Sequence, residues 1–483
     1  MIQPVLAKAA LLLVALAVLP QCRREAPPAA APNGASPTAA SAPEPNVDRI
    51  RLVVSGSMLG RLEPCGCAGG QLGGLPRRMQ HLGEQRQYDL LVEGGDLVAG
   101  ASELDLQKAF TALSVLFGMQ HPYDVLGVGP RDLQLPREEW TSYASMAALV
   151  TTDLRSTAAD WPGVPFVEKV VRDQRVRLLS FTTSLPADES KASAPLELLA
   201  PAAAWQRGLE GAAATTLRVL LLHTGDVAAR RIVTELAPKP DLVLCFDPAY
   251  TDPPAHPELV DGVPFVFPGI RGRNLVLVTL ARLPSGPRVG TEVVPLAGSR
   301  TVPGGGGDPD VKQALLQHRQ QVKQDGVLGK MANLRATANG HDYVGTARCG
   351  TCHPSALAAW QQSRHAAAWQ TLVKAEADPK RYGWPVTAYP DCVGCHVVGY
   401  GERTGFLGMD HTPDLAAVGC ESCHGAGSAH ANGGGLVPMG KVGGGQASVL
   451  CTTCHDYEQS PDFLYGDRWP KIQHGREAHQ QKR

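Results

Sequence analysis

Four copies of Cys-x-x-Cys-His stand in the last third of this sequence. They read Cys349-Gly-Thr-Cys352-His353, Cys392-Val-Gly-Cys395-His396, Cys420-Glu-Ser-Cys423-His424 and Cys451-Thr-Thr-Cys454-His455. Two thiols one helical turn apart can add across the two vinyl groups of a porphyrin. The histidine that follows can then reach the iron as an axial ligand. From this composition about 0.01 such pentapeptide is expected by chance in the whole chain. Every cysteine after residue 340 belongs to one of the four. The competing chemistries are a zinc site, which needs no histidine directly after each second cysteine, and disulfides, whose spacings vary. The motifs therefore read as four covalently bound haem c groups. Cys349, Cys352, Cys392, Cys395, Cys420, Cys423, Cys451 and Cys454 are the attachment points, and His353, His396, His424 and His455 the proximal iron ligands.

Each iron also needs a sixth ligand or an open position. Six further histidines follow residue 340: His341, His365, His411, His430, His474 and His479. Each has a plainer alternative as a surface residue or a propionate contact. All six are candidate distal ligands, and Met409 and Met439 are weaker ones. About 140 residues for four haems is too little chain for an ordinary apolar core. A mainly α segment wrapped around haem is expected, with the haems as its core.

Upstream, the pattern changes. Arg51–Val54, Asp89–Val92, Val125–Val128, Leu217–Leu222 and Asp241–Leu244 are short apolar runs that read as buried strands. Leu104–Phe117 and Asp226–Leu236 read as amphipathic helices. Val167–Val171 with Arg175–Phe181, and Leu275–Leu280 with Arg288–Val294, read as hairpins. The expectation is a layered α/β sandwich with a partly parallel sheet. A Gly-rich break at Pro303–Asp308 precedes a polar helix over Val311–Val327.

Two family resemblances follow from these residues. Tyr343-Val-Gly, Cys352-His353-Pro354, Trp360 and Ser363-Arg364-His365-Ala366 resemble the first-haem segment of the tetrahaem cytochrome c-554 family. Gly419 to His430 resembles its third motif, with Ala426 where that family has proline. Phe463-Leu-Tyr465 through Trp469 to His474-Gly475 resembles its C-terminal ligand segment. The resemblance implies distal roles for His365, His430 and His474, three bis-histidine irons and one open iron; should the fourth iron take a ligand, His411 comes first and His341 next, with Met409 and Met439 behind. It also implies electron transfer.

The strand-end signatures resemble calcineurin-like metallophosphoesterases, in particular the 5'-nucleotidase branch. That family reads Asp-x-His-Gly-Arg-Leu where this chain reads Ser57-Met58-Leu59-Gly60-Arg61-Leu62. Gly95-Asp96 and His223 match the second and fourth signatures. Gly129-Pro130-Arg131-Asp132 stands for Gly-Asn-His-Glu, and Cys245-Phe246-Asp247-Pro248 for Gly-His-x-His. Gly269-Ile-Arg-Gly272-Arg273 keeps the look of the closing turn. A two-metal site needs several Asp, His and Asn ligands at close spacing. Only Asp96 and His223 remain, so the fold is expected without phosphoesterase catalysis. Cys65, Cys67, Cys245 and His223 could form a soft metal or redox site; a local Cys65–Cys67 disulfide or plain loop thiols are the alternative.

At the N-terminus, Ala9–Leu19 after Lys8 has the length of a secretory h-region and is short for a membrane span. Cys22 opens an Ala/Pro-rich stretch and resembles a lipidated lipoprotein cysteine, although Pro20 and Gln21 replace the small residues usual before it. A plain signal peptide cut nearby, or an uncut anchor, stays open. The segments expected are a signal over 1–22, a spacer over 23–48, the α/β part over 49–298, a linker and connecting helix over 299–340, and a tetrahaem part over 341–483. The net charge of −1 offers no basic face, which argues against nucleic acid. Taken together, the sequence points to an exported tetrahaem electron carrier of the periplasm or outer membrane face, serving periplasmic or membrane redox proteins. The alternative is a reductase of a small nitrogen compound at one open iron.

Overall fold

The computed structural model describes residues 49–64, 71–85, 87–156, 161–187, 195–284, 286–298, 306–379, 382–440, 442, 444–457 and 459–474. The expected signal, spacer and lipid site at Cys22 lie outside the described residues, as do Cys65, Cys67 and His479. Val47–Arg483 forms one compact unit. Among the described residues no helix is long and apolar enough to cross a membrane.

Fourteen strands are described: β1 Ile50–Ser55, β2 Leu90–Glu93, β3 Val125–Gly127, β4 Leu149–Val150, β5 Leu154–Ser156, β6 Val167–Val171, β7 Gln174–Phe181, β8 Leu196–Leu198, β9 Leu217–Leu222, β10 Leu242–Cys245, β11 Glu258–Val260, β12 Val263–Val266, β13 Asn274–Leu283 and β14 Gly286–Pro295. They build one sheet in the order β14-β13-β1-β2-β3-β4 and another in the order β11-β12-β10-β9-β7-β6, with β5 and β8 as a small pair. β1 to β4 run parallel, as do β7, β9, β10 and β12. The hairpins β6–β7 and β13–β14 are antiparallel.

Side-chain alternation explains the layering. Ile50, Leu52 and Val54 of β1 meet Val176 and Leu178 of β7 and Val219 and Leu221 of β9 between the sheets. Val53, Leu91 and Leu126 point the other way, onto helices α1 (Leu75–Glu84), α2 (Glu103–Gly118) and α3 (Glu139–Met146). On the far side, Leu220, Leu222 and Phe265 pack against α4 (Pro201–Leu209) and α5 (Asp226–Glu235). The result is an α/β/β/α sandwich. Its inner strands β2, β3 and β10 are buried on both faces, and β1 and β9 nearly so, which is why they read as unbroken apolar runs.

Two helices tie this sandwich to the C-terminal segment. α2 starts at a reciprocal cap: Asp105 N–H donates to Ser102 Oγ (3.2 Å), and Ser102 N–H donates to Asp105 Oδ2 (3.1 Å). α6 (Pro309–Gln324) starts at Asp308, whose carboxylate accepts from the N–H groups of Asp310 and Val311. Val311 and Leu315 of α6 enter the sandwich core, while Val322 joins Leu104, Trp369, Trp384, Tyr389 and Phe406 in a C-terminal cluster.

The C-terminal segment is short helices and turns, as expected. It departs from the haem-only core in one respect: residues 369–415 contribute their own apolar cluster, seated against α2 and α6. Beyond Leu415 the buried apolar side chains among the described residues are Ala426 and Ala447, while Leu436, Val449, Tyr457 and Leu464 are exposed.

Candidate metal centres

Each Cys-x-x-Cys-His motif sits on a helical turn. Thr346–Gly350, Pro390–Val393, Cys420–His424 and Gly444–Cys451 are the four short helices that carry or lead into them. The N–H groups of His353 and His455 donate to the carbonyls of Cys349 and Cys451, at 3.0 and 2.9 Å. One helical turn therefore brings thiol and imidazole to a common face.

Three motif histidines face a second histidine. The ring centres of His353 and His430 are 6.1 Å apart, those of His365 and His455 6.1 Å, and those of His424 and His474 6.0 Å. Two imidazoles bound on opposite sides of one metal, at about 2 Å per bond, place their ring centres about 6 Å apart. The spacing fits an iron between each pair. Among the described residues no imidazole stands against His396 in this way. His411 is exposed on the turn after Gly408, where its own N–H donates to the Gly408 carbonyl, and the structure does not bring it to a motif histidine. His341 is likewise apart; its carbonyl accepts from Thr337 Oγ1.

The ring orientations suit ligation through Nε2. Nδ1 lies 2.7 Å from the Ala368 carbonyl in His396, 2.7 Å from the Gly440 carbonyl in His424, 2.6 Å from the Val437 carbonyl in His430 and 3.1 Å from the Ile472 carbonyl in His474. His455 Nδ1 meets Ser460 Oγ at 2.9 Å. A carbonyl acceptor holds the proton on Nδ1 and leaves Nε2 free for metal. Burial also lowers the pKa of His365, His396 and His455, favouring the neutral form that ligates.

The motifs meet in pairs. The side chains of Cys349 and Cys420 lie within hydrogen-bonding reach of each other, as do those of Cys395 and Cys454. The first and third motifs, and the second and fourth, therefore present adjoining attachment points.

Sequence reasoning missed Glu421, a variable position inside the third motif. It is 2% exposed, and its carboxylate accepts from the N–H groups of Val344, Gly345 and Gly427 at 2.8–3.1 Å. It pins the loop before the first motif to the loop after the third. The signal available was an acidic residue followed by two glycine-containing turns, which is too weak to single out.

The second motif is fixed to the sandwich. Lys108 of α2, almost wholly buried, pairs with Asp391 at 2.6 Å, next to Cys392. Thr111 Oγ1 meets His318 Nδ1 at 3.0 Å, and His318 Nε2 meets Tyr389 Oη at 3.1 Å. Burial pushes the His318 pKa down to about 4, so both contacts involve a neutral ring. Arg319 lies over the Trp384 ring and pairs with Glu63.

At the strand ends of the sandwich, the surviving Asp96 and His223 do not form a metal site. The Phe246 ring stacks on His223 at 5.0 Å and 16°. It also fills the space above Gly56 and Gly94, where an added Cβ would come within 2.5 and 2.1 Å of it. Both His223 ring nitrogens are buried without a partner, and burial drives its pKa down to about 3. Asp96, with φ 49°, accepts from the Arg131 N–H at 3.0 Å. Asp132 receives the N–H groups of Asp96, Leu97 and Gly129 and is pushed up to about 8 by burial and by the Asp96 carboxylate. Arg78 and Glu93 form a fully buried ion pair nearby, with Ser55 donating to Glu93. Cys245 faces the helix-side core, its thiol donating to the Thr224 carbonyl and raised by burial, so it takes no part with His223.

Known proteins similar to this chain fall into two sets, one for each part. Solved structures similar to the α/β part include a 5'-nucleotidase precursor from Thermus thermophilus (16% identity, TM-score 0.47, covering 62% of this chain and 63% of that one). The calcineurin-like phosphoesterase YfkN from Bacillus subtilis is another (14% identity, TM-score 0.40, covering 56% and 97%). Cytochrome c-554 of Nitrosomonas europaea is 41% identical over 91 residues, which are 18% of this chain and 39% of the relative. The chain thus spans about two fifths of that relative's length. Residues 348–425 match the family model described as cytochrome c554 and c-prime. Residues 348–425, which hold the first three Cys-x-x-Cys-His motifs, are thus similar to cytochrome c554, and this similarity supports covalently bound haem c.

Proposed function

We propose that this protein is an exported tetrahaem electron carrier. Four haem c groups are bound through the eight motif cysteines and ligated by His353, His396, His424 and His455. His430, His474 and His365 supply the sixth ligands of the first, third and fourth. The observation that carries the reading is the 6.0–6.1 Å ring spacing of three histidine pairs, each joining a motif histidine to one outside any motif. The exposed Leu436, Val449, Tyr457 and Leu464 support it, since haem faces would cover such side chains. The iron supplies one-electron redox chemistry, and bis-histidine ligation leaves no position for substrate, which suits relay. Periplasmic or membrane redox proteins are the proposed partners, with Cys22 a lipid anchor or part of a cleaved leader. Phosphoester hydrolysis has no place in this proposal, because Phe246 occupies the strand-end space.

A second reading, binding and reduction of a small nitrogen compound, is favoured by one observation: His396 has no second imidazole opposite it among the described residues. One experiment separates the two. The pyridine haemochrome method counts haem, and the dithionite-reduced spectrum is recorded with and without carbon monoxide. Four haems with no carbon monoxide response mean relay alone and a fourth distal ligand, with His411 the first to mutate. A response from one haem in four makes the second reading the stronger. A count of zero refutes both.

A further inference from the structure

The α/β part has lost its strand-end site, yet it is built into the second haem motif. Three independent contacts reach that motif from it. Lys108 of α2 pairs with Asp391, the residue before Cys392. The chain Thr111–His318–Tyr389 runs from α2 through α6 to a ring three residues before Cys392. Arg319, paired with Glu63 from the loop after β1, lies 4.1 Å from the centre of the Trp384 ring. These groups enclose a cavity of about 60 Å³ at the seam, lined by Glu63, Lys108, His318, Arg319, Tyr389 and Cys392 itself. Gln459, also on its wall, accepts from the Cys395 thiol. Both attachment points of one motif thus touch the same seam. It is also the motif whose histidine, His396, has no facing imidazole among the described residues.

We propose that the α/β part serves as the fixed wall of the site at Cys392, Cys395 and His396, and that the Lys108–Asp391 pair sets the electrostatic environment of the haem bound there. The inference rests on the haem reading above. Lys108 and Asp391 act as positioning residues and as fixed charges, and neither is a catalytic residue. The pair is asymmetric: the Lys108 side chain is 7% exposed and that of Asp391 45%. Its charges are therefore unequally screened, and each alone would be felt at the iron. A positive charge beside an iron disfavours the ferric state, and a negative charge favours it. The two single substitutions must then shift the same haem in opposite directions, which simple loosening of the fold does not do.

The test is a spectroelectrochemical titration of the full-length holoprotein. Lys108→Met leaves Asp391 unpaired and should lower the midpoint potential of one haem. Asp391→Asn leaves Lys108 unpaired and should raise it. The double variant should return close to the unsubstituted value, with one haem showing the largest shift in each single variant. Glu63→Gln and Arg319→Gln form a second pair with the same opposed signs, should a Lys108 variant not accumulate. Full haem content with no shift, or with both single variants shifting the same way, overturns the proposal. A motif peptide at Cys392–Cys395 found free of haem by mass spectrometry overturns the haem reading beneath it instead.

Discussion

His223 offers a quantitative test of the strand-end plug. Its ring is 3% exposed, stacked under Phe246, with neither nitrogen paired. Its pKa falls from an ordinary 6.5 to about 3, through burial. Between those values the unfolded chain binds a proton that the folded protein refuses, so stability is complete above pH 6.5 and declines as pH falls through the window. The slope is about 1.4 kcal/mol per pH unit, or about 2 kcal/mol at pH 5. His223→Leu removes the titrating group and keeps an apolar filler of similar size, a change expected to be close to neutral at pH 7. The assay is urea unfolding of both proteins at pH 7 and pH 5, followed by far-ultraviolet circular dichroism. Asp132 and Asp153, raised by burial to about 8 and about 6, run the other way and gain stability as pH falls. They cancel in the difference between variant and parent. The leucine variant should gain about 2 kcal/mol on its parent between pH 7 and pH 5. A difference that does not change with pH would refute the buried, neutral, unpartnered imidazole and with it the plug.

Two further outcomes follow from the C-terminal part. Glu421→Gln turns an oxygen that accepts two backbone N–H groups into a donor facing donors, at a cost of about 3 kcal/mol; thermal unfolding followed in the Soret band should show a midpoint lower by several degrees, against a small change for the more exposed Glu402→Gln. His430→Ala removes the imidazole facing His353, so one additional haem should become high-spin and bind carbon monoxide, and a spectrum like that of the parent would exclude His430 as its ligand.

Much of the α/β part was legible because buried strands and amphipathic helices carry strong periodic signals. β1, β2, β9, β10 and the β6–β7 hairpin lie within a residue of their expected positions, and β13 runs three residues past its expected end. Packing of the two sheets into one sandwich was less so, since alternation does not name the facing partner. The Cys-x-x-Cys-His motifs were legible because their chemistry demands fixed spacing. Pairing of His353 with His430, His455 with His365 and His424 with His474 was not, because it depends on how short helices fold back over 50 to 90 residues of chain. Neither Lys108 nor His318 could be singled out. Each reads as an ordinary polar residue on an amphipathic helix, and only the seating of residues 369–415 against α2 and α6 buries them. Phe246 was visible as a lost ligand, but its role as a filler needed the distances to Gly56, Gly94 and His223.

The adjoining thiols have a consequence for how the molecule is made. Cys349 lies within hydrogen-bonding reach of Cys420, and Cys395 of Cys454, across motifs 71 and 59 residues apart in the chain. Before any thioether forms, those same pairs are ready partners for disulfides in an oxidising compartment. A chain that closed first would present mispaired cysteines to the attachment machinery and sequester one sulfur from each of two motifs. On the proposed reading, with haem attached at all four motifs after export, ligation would have to outrun compaction, or a reductant would have to reopen the cross-motif bonds.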